Sequence, residues 1–287
     1  MKRRRGILVT AAVVAIAATA VVAALALERT DDSKLKGRVP GSRALLVHRF
    51  DAERLLLATA DGVCESRDGG RNWRVSGLDG RNVVALARLK DGTVWAAGRG
   101  FLSRSSDGGR SWMDVRPTGL RRLDVRALSG SRDVGGRLDA AVDGIGLFRS
   151  DDGGRSFGRL GLSNVGANAT AIAETTDGVL FVSDERRGVV VNANGDGIGW
   201  LEALDQSVFA LAPNFDDNHS GAVLAGTNES VLRTTNKGQT WAVVLDVAGG
   251  ARAVAFSQTR LGTAYAVAGD GTTYRSGDFG ATWTQTR

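Results

Sequence analysis

Short apolar runs separated by turns rich in glycine and aspartate recur along most of this 287-residue chain. In a representative stretch, an apolar run at 82–89 is followed by a turn at 90–93 and by further short runs at 94–97 and 101–104. Runs of this length, alternating or wholly apolar, are typical of strands covered on both faces. Nothing after the N-terminal region has a sustained helical period, so the pattern predicts an all-β domain.

One turn sequence recurs six times, each time between the third and fourth predicted strands of a repeat. Its third position is Asp or Asn, which accepts hydrogen bonds from amides two residues on, and its glycine tolerates positive φ. We therefore interpret these positions as structural. They are Ser66, Asp68, Gly70 and Trp73; Ser105, Asp107, Gly109 and Trp112; Ser150, Asp152, Gly154 and Phe157; Asn194 and Trp200 in a degenerate fourth copy; Thr234, Asn236, Gly238 and Trp241; and Ser276, Asp278, Gly280 and Trp283.

The six copies are about 42 residues apart, a spacing typical of propeller blades. Residues 43–287 are therefore predicted to form a six-bladed β-propeller of four-stranded antiparallel blades. The first and last repeats have the same strand order, so no exchanged strand is indicated for closing the ring. The segment 34–41 is an alternative edge strand, although Pro40 opposes this.

The turn sequence S-x-D-x-G-x-T-W resembles the Asp-box, also called the bacterial neuraminidase repeat. In that family the box lies away from the ligand-binding face of the propeller. Exported chains built almost wholly of such blades also resemble the photosystem II assembly and stability factor propellers. That resemblance implies a binding scaffold and, without a partner-specific motif, does not imply a role in a photosystem.

The resemblance to sialidases leaves a glycoside hydrolase as the alternative function. Sialidases carry an Arg-Ile-Pro element in the first blade, which the stretch His48–Asp51 lacks, and a catalytic tyrosine, whereas Tyr265 and Tyr274 fall within predicted strands. We assign no catalytic residue. A hydrolase would need two carboxylates about 5–9.5 Å apart, and ordinary turn chemistry is the simpler interpretation of the candidates. These are Asp143, Asp184, Glu185 and Glu229.

The loops opposite the six turns carry many arginines. We call this side, formed by the loops between the second and third strands and between consecutive blades, the collar face. Arginine makes bidentate contacts with carboxylates and phosphates, which predicts a protein or an anionic glycan as partner; a merely solvated surface is the alternative. The candidate ligand-binding residues are Arg81, Arg99, Arg121, Arg122, Arg186 and Arg187.

No cofactor is expected from the sequence. Two oxygen-rich stretches, 192–197 and 214–219, leave calcium as an alternative, although the repeat register explains the first as a degenerate turn. His48 and His219 have no Cys or His partner at ligand spacing, which argues against zinc. The single cysteine, Cys64, is predicted to be a buried hydrophobic residue.

The N-terminus combines a basic cluster with a long apolar run. Lys2–Arg5 precede the uncharged residues 6–27, which as a helix would span roughly 33 Å, enough for a bilayer core. We favour a signal anchor at 1–27, a polar linker at 28–42 and a propeller outside the cytoplasm, with secretion after cleavage following Ala26 as the alternative. Four of the charges behind the net +6 belong to this cluster, so no nucleic-acid binding is predicted.

Overall fold

The structure is a computed structural model that describes residues 34–36, 39, 41–161, 164–184, 187–216 and 221–286. The predicted signal anchor at 1–27 and the start of the linker lie outside these residues, as do Glu185 and Arg186. The described part forms β-strands throughout and contains no helix that could cross a bilayer.

The strands form six sheets. Each contains four strands that are consecutive in the chain and pair antiparallel, and the first sheet has β1 (Lys34–Lys36) as a fifth strand. The first three blades contain β2 (Ala44–His48), β3 (Asp51–Thr59), β4 (Gly62–Ser66) and β5 (Asn72–Gly77); β6 (Val83–Arg88), β7 (Val94–Gly98), β8 (Phe101–Ser105) and β9 (Met113–Asp114); and β10 (Val125–Gly130), β11 (Leu138–Val142), β12 (Gly146–Ser150) and β13 (Gly158–Arg159). The last three contain β14 (Ala169–Glu174), β15 (Leu180–Asp184), β16 (Gly188–Asn192) and β17 (Leu201–Leu204); β18 (Val208–Pro213), β19 (Val223–Thr227), β20 (Ser230–Thr234) and β21 (Ala242–Asp246); and β22 (Ala251–Phe256), β23 (Ala264–Ala268), β24 (Thr273–Ser276) and β25 (Thr284–Gln285). The predicted all-β six-bladed propeller is confirmed.

The strands near the axis are buried and the short strands at the rim are exposed, as the apolar and polar runs in the sequence predict. The second strands of blades two to six are buried along their whole length because neighbouring blades cover both of their faces. The short fourth strands β9, β13 and β25 are exposed and largely polar. The core is divided into six apolar clusters, one between each pair of adjacent blades.

The ring is closed by side chains and loops that join the first and last blades. β2 packs against β22, and one apolar cluster contains residues of both blades. The hydroxyl of Ser42 donates to the carbonyl of Ala268 at 3.4 Å, and Glu53 pairs with Arg275 at 3.1 Å. Within the described residues no strand is exchanged between blades; instead a fifth strand, β1 (Lys34–Lys36), lies at the outer edge beside β5.

Candidate functional site

Hydrogen bonds fix the conformation of the repeated turns. In the third turn, Asp152 accepts from the hydroxyls of Ser150 at 2.8 Å and Ser156 at 2.5 Å, and from the amides of Arg155 and Ser156, both at 2.9 Å. The Ser156 hydroxyl and amide hold the pKa of Asp152 well below its usual range. A carboxylate used in this way is ionised at neutral pH and has no proton to donate as a catalytic acid.

The glycine at the fifth position of the turn has a packing role as well as a conformational one. Gly154 has φ of 80°, and a Cβ there would collide with the ring of Trp95 in the preceding blade. The glycine therefore lets this turn pack directly against the preceding blade. The aromatic residue at the eighth position contacts the same turn: in four copies its indole N–H donates to the glycine carbonyl at 3.0–3.1 Å.

The fourth turn differs from the sequence interpretation in its acidic position. The repeat register assigned this role to Asn194, but the hydrogen bonds pass through Asp196, which accepts from the Ile198 amide at 2.8 Å and from the Asn192 side chain at 3.2 Å. The amide of Gly197 then donates to Asn192 at 3.3 Å, as the fifth residue does elsewhere. The carboxylate therefore lies two positions later than in the other turns and one position nearer to the glycine, and the turn keeps the single extra residue that the register implied.

The collar arginines fall into two groups. Arg81 is already used within the fold, because it pairs with Asp114 at 2.7 Å and lies over the ring of Phe101, 3.9 Å from its centroid. The other described candidates have exposed side chains for which the described part of the chain provides no hydrogen-bond or ion-pair partner. These are Arg99, Arg121, Arg122 and Arg187.

The candidate carboxylates are spread over separate blades. Asp143, on the third blade, is exposed and pairs with Arg126 at 3.2 Å. Asp184 ends β15 of the fourth blade and is buried, whereas Glu229, between β19 and β20 of the fifth blade, is exposed. None of these three lines the central cavity described next.

A cavity of about 880 Å³, a volume that includes space open to solvent, runs along the propeller axis between the first strands of the blades. Every blade contributes aliphatic side chains of its first strand to the lining, and we call one such residue from each blade, six in all, the aliphatic ring. These are Leu46, Leu86, Leu128, Ile172, Leu211 and Val254. No Asp or Glu is among the described residues that line this cavity, whereas three arginines are, namely Arg43, Arg88 and Arg126.

Arg88, the last residue of β6, is the cavity residue that the sequence interpretation missed. Its side chain is only 8% exposed, and its Nη1 donates to the carbonyl of Val47 in the first blade. Burial, together with the charges of Arg49 and Arg54, lowers its pKa to about 10, so it remains protonated at neutral pH. A charged residue at the end of an apolar strand was the available signal.

No metal site is apparent in the described part of the chain, where no three His, Cys, Asp or Glu side chains are grouped to hold an ion. Cys64 is buried, and burial raises the pKa of its thiol to about 11, which makes it unreactive at neutral pH.

Comparisons with known proteins identify similar structures but no family. No protein-family model and no curated protein matches the chain. Solved structures that match include YCF48 from Cyanidioschyzon merolae (17% identity, TM-score 0.54, 88% of each chain) and YCF48 bound to D1 peptide (15%, 0.53, 88% of this chain and 84% of that one). A GH74 xyloglucanase from Xanthomonas campestris also matches, with 16% identity and a TM-score of 0.60. That match covers 89% of this chain and 46% of the enzyme. At these identities the similarity establishes the fold alone.

Proposed function

We propose that this chain is a propeller scaffold that binds a protein partner through its collar face. The observation that carries the proposal is a set of exposed arginines for which the described residues provide no partner, namely Arg99, Arg121, Arg122 and Arg187. Guanidinium groups that are free of internal carboxylates can make bidentate contacts with acidic groups of a partner. The similarly folded YCF48 has been solved with a bound peptide, which supports a propeller of this kind acting on proteins.

A glycoside hydrolase is the weaker alternative. Such enzymes place two carboxylates about 5–9.5 Å apart around the scissile bond. Here the described candidates lie on three different blades, and the axial cavity contains arginines in place of acids. The resemblance to the xyloglucanase concerns the fold, and no residue pair in the described part of the chain supports transfer of its activity.

The collar hypothesis predicts that partner binding depends on these arginines. We expect that changing Arg121, Arg122 and Arg187 together to alanine lowers recovery of a specific partner by about tenfold, since three charge-assisted contacts would be lost. The measurement is quantitative mass spectrometry of proteins recovered from the native membrane extract by the tagged full-length chain.

A matched variant separates a collar effect from a change in net charge. Arg104, Arg110 and Arg155 are exposed and lie on the third strand and the repeated turns of blades two and three, away from the collar loops. Changing all three to alanine removes the same charge, and we expect recovery to stay at the wild-type level. Equal recovery by wild type and both variants would contradict the collar hypothesis.

We further propose that residues 6–27 anchor the chain in the membrane with the propeller outside the cytoplasm. The basic residues Lys2–Arg5 and the length of the apolar run support this proposal. We expect the full-length chain to stay in the membrane fraction after carbonate washing and to be digested when protease is added to intact spheroplasts. A soluble product that begins after Ala26 would instead indicate secretion.

A further inference from the structure

The axial cavity holds a buried positive charge for which the described residues provide no balancing carboxylate. Arg88 lines the cavity near the end of β6, and its Nη2 is buried with no hydrogen-bond partner in the described residues. Within the described residues its side chain donates one hydrogen bond, from Nη1 to the backbone carbonyl of Val47, which carries no net charge to neutralise it. A buried and uncompensated charge is costly, and proteins normally pair such groups.

Two further arginines near Arg88 add to the positive charge in its surroundings. Burial, and then the charges of Arg49 and Arg54, disfavour its protonated form and lower its pKa, and among the described residues no acidic group is a main cause acting in the other direction. Arg54 itself pairs with Glu65, which also accepts from Arg74 at 2.6 Å and from Arg67 at 3.1 Å. The carboxylate of Glu65 is therefore already shared by three other guanidinium groups.

The remaining lining of the cavity combines apolar and polar groups. Phe209, Phe215 and Phe256 line it together with the six aliphatic side chains, and its polar groups include the guanidinium groups of Arg43 and Arg126 and the neutral side chains of Ser129, Thr170 and Gln258. A concave site with apolar walls and a few placed polar groups is the usual form of a small-molecule site. Its walls match an apolar ligand body, and its buried guanidinium matches one anionic end.

We propose that the axial cavity binds a small organic carboxylate, whose carboxylate pairs with Arg88 and whose apolar body lies against the aliphatic ring. The carboxylate would pair with the Arg88 guanidinium and supply the negative charge that the described residues around it do not provide. This site is distinct from the collar face, and its occupancy does not depend on the proposed protein partner.

Octanoate, octanol and octylammonium provide a matched set of test ligands with the same apolar body and different charge. By calorimetry with the full-length chain, we expect octanoate to bind about ten- to a hundredfold more tightly than octanol, and octylammonium more weakly still. Equal affinity for octanoate and octanol, or no binding of octanoate, would overturn the proposal.

Two variants test whether Arg88 is the anchor. Arg88→Met should abolish the preference for octanoate, while Arg104→Met, at an exposed position on β8, should leave it intact. Because Arg88→Met also removes a buried charge, we expect its melting temperature without ligand to equal or exceed that of the wild type. Retention of the octanoate preference in Arg88→Met would refute the assignment.

A measurement on the unaltered protein locates the ligand without relying on a variant that folds. With methyl-labelled leucine, octanoate should shift the signals of Leu46, Leu86, Leu128 and Leu211, which line the cavity. Leu55 and Leu102 are fully buried elsewhere in the blades and serve as internal controls. Shifts confined to leucines outside the cavity would contradict this site.

Discussion

Replacing Trp73 by alanine should lower the free energy of unfolding by about 3–5 kcal/mol, the usual cost of truncating a fully buried large aromatic side chain. Trp73 is 1% exposed and belongs to the apolar cluster between the first and last blades. Its loss would leave a cavity in the interface that closes the ring. Urea denaturation at a constant m-value measures the effect.

Trp112 provides the matched control within the same chain. Its indole N–H makes the same hydrogen bond as that of Trp73, to the carbonyl of the turn glycine at 3.1 Å in both cases. Trp112 is only partly buried, so its replacement by alanine should cost about 1–3 kcal/mol. Because both variants lose the same hydrogen bond, the difference between their losses in free energy of unfolding measures the effect of burial. Equal losses, or a loss below about 1 kcal/mol for Trp73→Ala, would disprove the closing role of this residue.

The blade count and the strand positions could be predicted from the sequence because they depend on local chemistry. An Asp or Ser side chain bonds to amides within its own turn, so the turn leaves its signature in eight consecutive residues. The second strands can also be recognised in the sequence, because a strand that is buried on both faces needs a continuous apolar run. These features repeat six times, and each repeat reinforces the others.

The site could be predicted only in part because its properties depend on contacts between distant residues. Arg81 and Arg99 look alike in the sequence, yet Arg81 is held by Asp114, 33 residues away. The carboxylate of the fourth turn is Asp196 because an insertion moved the register, which a degenerate repeat conceals. Arg88 becomes notable only when the first strands converge on the axis and leave it in a cavity without acids.

A buried ionic network between the third and fourth blades breaks the apolar pattern of the second strands. Asp139 on β11 is fully buried and receives two hydrogen bonds from Arg149 on β12, of 2.6 and 2.7 Å. Arg149 also donates to the carbonyl of Gly195 at 2.6 Å, and Arg137 pairs with Glu174 at 3.1 Å. The equivalent pair in the fourth blade, Phe181 and Val191, is apolar. Burial raises the pKa of Asp139 to about 6, although Arg149 favours its ionised form.

Changing Arg149 to methionine should lower the free energy of unfolding by about 3–5 kcal/mol at pH 8, because Asp139 would remain buried without its counter-charge. The folded-state pKa of Asp139 already exceeds the ordinary value of 3.8 for an aspartate, and losing Arg149 should raise it further. A raised carboxyl pKa means that the folded state binds the proton more tightly than the unfolded state, so stability is lost as the pH rises. The destabilisation should therefore be smaller at pH 5 than at pH 8, which urea titrations at the two pH values measure.

The double variant Asp139→Leu with Arg149→Met tests whether the cost comes from the unpaired charge or from the lost arginine itself. With both charges gone and the volume kept, the apolar pair would resemble its counterpart in the fourth blade, and we expect most of the stability to return. Its free energy of unfolding should also lose the pH dependence that Asp139 contributes. If the double variant were as unstable as Arg149→Met alone, the contacts of Arg149 with Gly195 would account for the loss, and the charge of Asp139 would not.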